Sequence, residues 1–515
     1  MRLILPPGMK AAAFDRARQA LRRVVGAQWV LDTDEDRETY IDPYAVGTGA
    51  AHAPSGAVAP ASVEELQAVL RVANEFRLPL WPISRGKNLG YGGASPRMPG
   101  TMVLDLGRLN RILEVDEKLG YCVVEPGVGF FELHEHLTKN RIAMEVGIPG
   151  NGWGSVLGNA LERGFSFRGD HSESICGLEV VLPGGELLRT GMGAMKNGVT
   201  WATARHGFGP SWDQAFVQSN FGVVTKMGLW LHPTPEEVIT LRVALDQPDD
   251  IGWYMDALAP LRLRGVVNGN VQLTTYMMTV IDSTQRADWY QGRDSLPDSV
   301  IARIRAERDL GWWNGTVRVA GYADVNEGNL KRVQAALSKH SGREYPFTRT
   351  LSAQTPSRGP SVGPLKVANW YGGRGGHMSF SPVVPAVGSA VVAQFQRTRA
   401  RYIEHGIDYS STWYLNGRTV TNINLLLTNM DDADLTARGD RLFHALVKDA
   451  AAAGYGEYRT HLSYMDEVAD TFSYNDHALR RFNERVKDAI DPNGILAPGR
   501  NGIWPAAWRK ERGKV

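Results

Sequence analysis

Residues 81–93 read WPISRGKNLGYGG, a short apolar run followed by Gly86, Gly90, Gly92 and Gly93 interleaved with Ser84, Arg85, Lys87 and Asn88. Glycine lets a backbone turn through positive φ and come close to a ligand, and successive N–H groups in such a turn make a concave anion site. A pyrophosphate suits that concavity. The stretch is neither the GxxxxGKS/T phosphate loop nor the GxGxxG turn between strand and helix. Its glycines alone fit an ordinary tight loop equally well.

Two further glycine-rich stretches follow, VEPGVGFFELHEHL (124–137) and GNGWGSVLGNALERGFSFRGDH (150–171). From Pro60 to Leu231, short β-rich runs alternate with Gly/Pro punctuation: LWPIS, TMVLDL, GYCVVEPG, LEVVLPGGELLRTG and GVVTKMGLWL. One helix is predicted there, over 63–76 behind a Ser62 cap, so that loops and not helices carry the glycines. Beyond Thr234, helical patterns over 329–338, 391–405 and 434–453 alternate with the strand-like TVRVAGYA, HMSFSPVV and TVTNINLLLT, which predicts a sheet covered by helices on one side. A last helix over 479–489 leads into DPNGILAPGRNGIW, which is a poor candidate for disorder and is expected to pack back on the chain.

Composition narrows the function. A chain of 515 residues, 43% hydrophobic and 22% charged, is ordinary globular material for two domains. Its 57 basic and 55 acidic side chains leave a net charge of +2, without the concentrated basic footprint of a nucleic-acid binder, so the expected partner is a small molecule. Cys122 and Cys176 stand in apolar runs and read as reduced core thiols; neither a disulfide scaffold nor a metal site is expected. The N-terminal apolar patch is broken by Pro6 and Pro7, unlike a secretory signal, and there is no run of about 20 apolar residues. A cytoplasmic location and no membrane span are expected.

The three loops together, with LNRILEVDEKLGYCVVEPGV, GNALERG, GDH, LEVVLPGGELLRTGMGA, FGP, QSNFGVVTKMGLWL, GHMSFSPV, GYGEYRTHLSYMD and DPNGILAPGRNGIWP, closely resemble the vanillyl-alcohol oxidase and 4-cresol dehydrogenase (p-cresol methylhydroxylase) family of flavoproteins, eugenol-oxidase branch included. The resemblance covers nearly the whole chain. It implies an α+β, two-domain VAO/PCMH-type flavoprotein: an FAD-binding domain of two small α/β subdomains over 1–235, a substrate or cap domain with an antiparallel sheet covered by helices over 236–470, and a segment 471–515 returning to the FAD domain.

By the same match, Ser84, Arg85, Gly86, Lys87 and Asn88 hold the pyrophosphate, with Gly154, Ser155 and Asn159 further along the cofactor, Val223 and Val224 near the adenosine end, and Arg500 from the C-terminal motif among the cofactor contacts. His377, in RGGHMSFSP, stands where the family's oxidases bond histidine to the flavin 8α-methyl group, so FAD is expected to be covalently attached there. Tyr91, Tyr458 and Arg459 match the trio that binds a phenolate oxygen. The implied reaction is hydride removal from the benzylic carbon of a para-substituted phenol, through a p-quinone methide, with oxygen as acceptor. The alternatives are a cytochrome-linked dehydrogenase passing electrons to a carrier protein, or a flavin-binding protein without turnover. A homodimer is the default assembly.

Four departures mark this chain. Gly150, followed by Asn151, occupies the place of an aspartate that serves the oxidases as acid/base; Tyr44 stands where a histidine activates the covalent linkage. In YLNGRTVTNI, Arg418 is kept but Thr421 and Asn422 replace two histidines, and Phe167 and Arg168 replace a Pro-Tyr pair. Smaller groups imply a roomier cavity and a bulkier, lignin-derived phenol.

Overall fold

Ser62 accepts a hydrogen bond from the Glu65 N–H at 3.2 Å and so starts the helix Val63–Phe76, whose Leu66, Val69, Leu70 and Ala73 spacing buries one face completely. The computed structural model, which describes residues 3–44, 50–269, 271–352 and 359–514, divides into two compact units. The first comprises Met1–Phe165, Asp170–Pro233 and His461–Val515; the second comprises Ser166–Gly169 and Thr234–Thr460. The chain thus re-enters the first unit at His461 and not at 471, and residues 166–169, expected in the FAD domain, group with the second unit.

The first unit holds two sheets. One is four-stranded, in the order Val30–Leu31, Ala57–Val58, Met102–Asp105, Leu80–Ile83, with the last three strands parallel. The other is antiparallel, in the order Leu187–Arg189, Ile175–Val181, Val223–Trp230, Tyr121–Val124, Ile112–Asp116. The glycine-rich loops leave the ends of these strands.

The single helix expected between 60 and 231 is too few. Phe130–Lys139 is helical, with Phe130, Leu133 and Leu137 buried at i, i+3 and i+7, and Val156–Leu161 is helical with Gly158 inside it. Each begins one residue after a glycine-bearing turn, which hides the helical period from a reading that treats the whole stretch as loop.

The C-terminal segment packs back as expected, and onto a definite partner. Leu496 bridges Leu80 in parallel, with Leu80 N–H donating to Ile495 O and Ala497 N–H to Leu80 O, both at 2.7 Å. Lys487, fully buried, fastens the segment by reaching Asp491 at 2.7 Å, Leu496 O at 2.8 Å and Asn220 O at 2.5 Å.

The second unit is one antiparallel sheet, in the order Phe347–Leu351, Glu237–Leu245, Trp313–Gly321, Val271–Thr275, Ser411–Leu415, Thr419–Asn429, Gly375–Phe380, with Val383–Pro385 also paired to Thr419–Asn429. The helices Ala323–Ser341, Asp250–Leu263, Gly388–Glu404 and Ala433–Ala452 form a row in that order over one face. Phe380 meets Phe443 of that row edge-on at 6.0 Å, while Trp413 meets Trp313, which in turn meets Phe395 at 5.1 Å. Strand alternation therefore sets the opposite face, and it carries His377, Ser379, Leu425, Thr421 and Tyr414.

Candidate active site

In the first unit the three glycine-rich loops converge. Gly86, Gly90, Gly92 and Gly93 all have positive φ. A Cβ on Gly158 would stand 2.3 Å from Ser84 Oγ, so the first loop lies directly on the helix Val156–Leu161. A Cβ on Gly127 would stand 2.4 Å from the Gly107 carbonyl, and Arg85 donates to Gly127 O at 3.2 Å while pairing with Glu132 at 2.6 Å. Ser155 joins the other two loops, donating its hydroxyl to Pro126 O at 2.6 Å and accepting from the Gly158 N–H at 3.0 Å.

The sequence-predicted cofactor residues fall into different roles around this convergence. Ser84, Gly86, Asn88, Gly154, Ser155 and Asn159 belong to the converging loops, and Lys87 is exposed at the first of them. Arg85 is engaged with Glu132, so it braces the loop as well as charging it. Val223 and Val224 bury their side chains in the two apolar cores, Val223 beside Val181 and Val224 beside Val180, which leaves their backbones as the groups able to face a ligand. Arg500 pairs with Glu162 and lies over the Trp81 ring at 5.3 Å; burial pulls its pKa down to about 10, and it stays charged at neutral pH.

The departures acquire physical content. Gly150 is exposed, and Asn151 spends its amide on Lys87 O at 3.0 Å and on the Trp153 N–H at 3.0 Å, tying two loops together. Tyr44 donates its N–H to Asp42 at 3.1 Å; burial, with Asp42 beside it, raises the phenol's pKa, so it is no base at neutral pH.

Tyr91 is half-buried, and the glycine after it is pressed on Leu462: a Cβ on Gly92 would stand 1.9 Å from Leu462 Cδ2. Leu462 follows His461, whose Nε2 meets Asp42 at 2.8 Å with both side chains about fully buried (1% exposed each).

In the second unit His377 is buried at the start of its strand, across from Leu427. Tyr458 and the half-buried Arg459 follow Glu457, which bridges Pro382 and accepts from the Ser381 N–H at 3.2 Å; the Tyr458 N–H donates to Ser381 O at 3.2 Å.

Of the two residues replacing histidines, alternation leaves only Thr421 on the His377 face. Asn422 turns toward the helices, where it accepts from Asn424 at 2.9 Å, so it is no lining residue of the His377 face. Arg418 sits exposed in the turn between two strands. Phe167 is flanked by two guanidinium groups, Arg168 at 4.9 Å and Arg318 at 5.2 Å from its ring centre.

One residue escaped the sequence reading. His171 is buried against Asn159, and its Nε2 has no hydrogen-bond partner. An unpaired buried nitrogen next to the convergence of the glycine-rich loops fits a bound dinucleotide with its own donors and acceptors.

A family described as FAD binding domain matches residues 54–191, and one described as FAD linked oxidases, C-terminal domain, matches residues 316–501. Over 514 aligned residues the chain is 32% identical to the flavoprotein subunit of 4-cresol dehydrogenase (hydroxylating) of Pseudomonas putida, covering 97% of this chain and 98% of that one. The chain belongs to the vanillyl-alcohol oxidase/4-cresol dehydrogenase family of FAD flavoproteins. As a member of this family it is an FAD-linked oxidoreductase with the α+β, two-domain VAO/PCMH fold. Two solved family structures match almost end to end. The 4-ethylphenol oxidase of Gulosibacter chungangensis, in an isoeugenol complex, gives a TM-score of 0.93 at 32% identity over 98% of this chain and 100% of that one. p-Cresol methylhydroxylase with substrate bound gives 0.92 at 30% over 97% and 99%. No described helix is long and apolar enough to cross a membrane.

Proposed function

We propose that this chain oxidises para-substituted phenols at the benzylic carbon, with Tyr91, Tyr458 and Arg459 binding the phenolate and oxygen taking up the electrons. The observation that carries the reading is the fixed backbone beside Tyr458 and Arg459 within the second unit. Glu457 bridges Pro382 and accepts from the Ser381 N–H, and the Tyr458 N–H donates to Ser381 O at 3.2 Å. A backbone pinned at these points holds the two side chains in place, as an oxyanion site requires.

FAD supplies a hydride acceptor. The chain's own contribution is charge and exclusion. A free phenol has a pKa of about 10; a fixed guanidinium and two phenolic O–H donors favour its anion, whose negative charge pushes hydride off the benzylic carbon of the para substituent and leaves a p-quinone methide. Gly150, Asn151 and Tyr44 offer no base at neutral pH. The phenolic proton passes to solvent, and Arg459 selects the phenolate that remains. Water then adds to the quinone methide to give a benzylic alcohol; where the substrate is already a benzylic alcohol, hydride loss gives a hydroxy quinone methide, which releases its hydroxyl proton to become the aldehyde. Ser84 to Asn88, Gly154, Ser155, Asn159, the Val223 and Val224 backbones and Arg500 are assigned to the cofactor, with His377 as its covalent tether. Thr421, smaller than the histidine it replaces, leaves room on the His377 face for bulky, lignin-derived para substituents.

A second reading has one observation in its favour: Gly150, which lacks the oxidases' aspartate, suits delivery of electrons to a carrier protein. Anaerobic addition of a panel of 4-alkylphenols and 4-hydroxybenzyl alcohols should bleach the flavin band, and mixing the reduced protein with air-saturated buffer should restore it within seconds. Bleaching without such recovery would assign a protein acceptor, and a flavin untouched by every phenol would end the substrate assignment.

A further inference from the structure

The carboxylate of the GDH triplet shapes a turn. Asp170 accepts from the Ser172 N–H at 2.9 Å and from its hydroxyl at 2.7 Å, and the turn presents His171 to the helix Val156–Leu161. There His171 Nδ1 lies 2.6 Å from Asn159 Oδ1. The amide is confined: a Cβ on Gly164 would stand 2.2 Å from Asn159 Oδ1 and 2.3 Å from its Nδ2, so the carboxamide lies flat on a glycine. Gly164 N–H donates to Asn159 O, and His171 N–H to Gly164 O, each at 2.8 Å. The imidazole is 7% exposed and tilted against Phe130 at 5.8 Å, with Nε2 buried and without a hydrogen-bond partner. Burial pushes its pKa down to about 4, so the ring carries a single proton at neutral pH.

A single proton on two nitrogens decides the pattern. Facing the Asn159 oxygen, Nδ1 holds the proton and donates it, and Nε2 keeps a bare lone pair. Asn159 then has its oxygen spent and its N–H donors left, which suits a ligand rich in acceptor oxygens. The Nε2 lone pair, costly to bury unpaired, calls for a donor from the same ligand. FAD carries both kinds of group, in its phosphate and carbonyl oxygens and its ribityl hydroxyls.

We propose that His171 is a positioning residue of the FAD site, locking the Asn159 carboxamide with its nitrogen turned to the cofactor. This stands on FAD binding alone and is independent of the substrate.

The test compares two substitutions that each keep half of the imidazole. In a His377→Ala background, where no tether can hold a loosened cofactor, FAD dissociation constants are measured by fluorescence titration, with circular dichroism and unfolding temperature alongside. Asparagine at 171 sets an amide nitrogen where Nδ1 stood; glutamine reaches only the place of Nε2. His171→Asn, which gives up only the Nε2 contact, should weaken FAD binding by less than about fivefold, while His171→Gln and Asn159→Leu, which lose the locked carboxamide, each weaken it about 25-fold or more. Combined, the last two should lose no more than either alone. Equal losses for His171→Asn and His171→Gln would reduce the residue to packing. Affinity retained only by glutamine, additive losses, or no loss at all would overturn the assignment.

Discussion

At position 459 the proposed function assigns a charge to the phenolate, so its removal separates binding from folding. Arg459 is half-buried beside Tyr458 and assigned to the phenolate oxygen. Arg459→Ala should lower kcat/KM for a 4-alkylphenol by roughly 100-fold, the value of about 3 kcal/mol for one oxyanion donor. The pH profile should move upward, because the substrate must then ionise without help; an unmoved profile would remove Arg459 from the phenolate site. His377→Ala should keep FAD but release it when the protein is precipitated with acid, whereas the wild-type pellet stays yellow. A colourless wild-type pellet would exclude the tether. As candidates these residues are legible in sequence because each stands in a short matching motif. His171 is not, since its partner Asn159 lies twelve positions away and its burial comes from Phe130. Asn422 is misread for a related reason: the motif gives its position, but only the pairing of Asn422 with Trp413 says which face it takes.

Among the elements, the turns are held by what a side chain would strike. A Cβ at Gly127 meets the carbonyls of Gly107 at 2.4 Å and Leu109 at 2.8 Å, which are backbone and cannot swing aside. Gly127→Ala should therefore cost about 1–3 kcal/mol of stability. It should also reduce FAD loading, since Pro126 O and Gly127 O are the groups that Ser155 and Arg85 hold. Gly184, in a turn of the same appearance, has nothing within 4 Å of its Cβ position, and Gly184→Ala should leave both quantities unchanged. Equal effects at the two glycines, seen in melting curves and flavin-to-protein absorbance ratios, would deny the cradle its close fit. Helix Val63–Phe76 and the strands flanking the loops were legible from local period and capping alone. The helix Phe130–Lys139 was not, because its period starts inside a glycine-rich string. The re-entry at His461 was not either, because a buried contact with Asp42, 419 positions away, decides it.

For the whole molecule, acid should act through two buried histidines of the first unit. Burial, reinforced by the Arg97 charge, pulls His52 down to about 3, and burial pulls His171 down to about 4. His52 is held neutral between Arg97 O and Ser463 Oγ, each at 3.0 Å. Well above pH 6.5 the rings are neutral in both the folded and unfolded states, and they add no pH dependence. As pH falls below 6.5 the unfolded chain takes up protons that the folded one refuses, so stability drops by ~1.4 kcal/mol per pH unit for each ring. The loss continues until the folded pKa values near 4 and 3 are reached. Between pH 7.5 and 5.0 the unfolding temperature should fall by roughly 5 °C or more, with FAD lost in the same transition. His171→Asn replaces one titrating ring with a neutral amide, so its unfolding temperature should depend on pH about half as steeply over that range. A wild-type curve flat from pH 7.5 to 5.0, or an asparagine variant as pH-sensitive as its parent, would mean that these rings accept protons without unfolding.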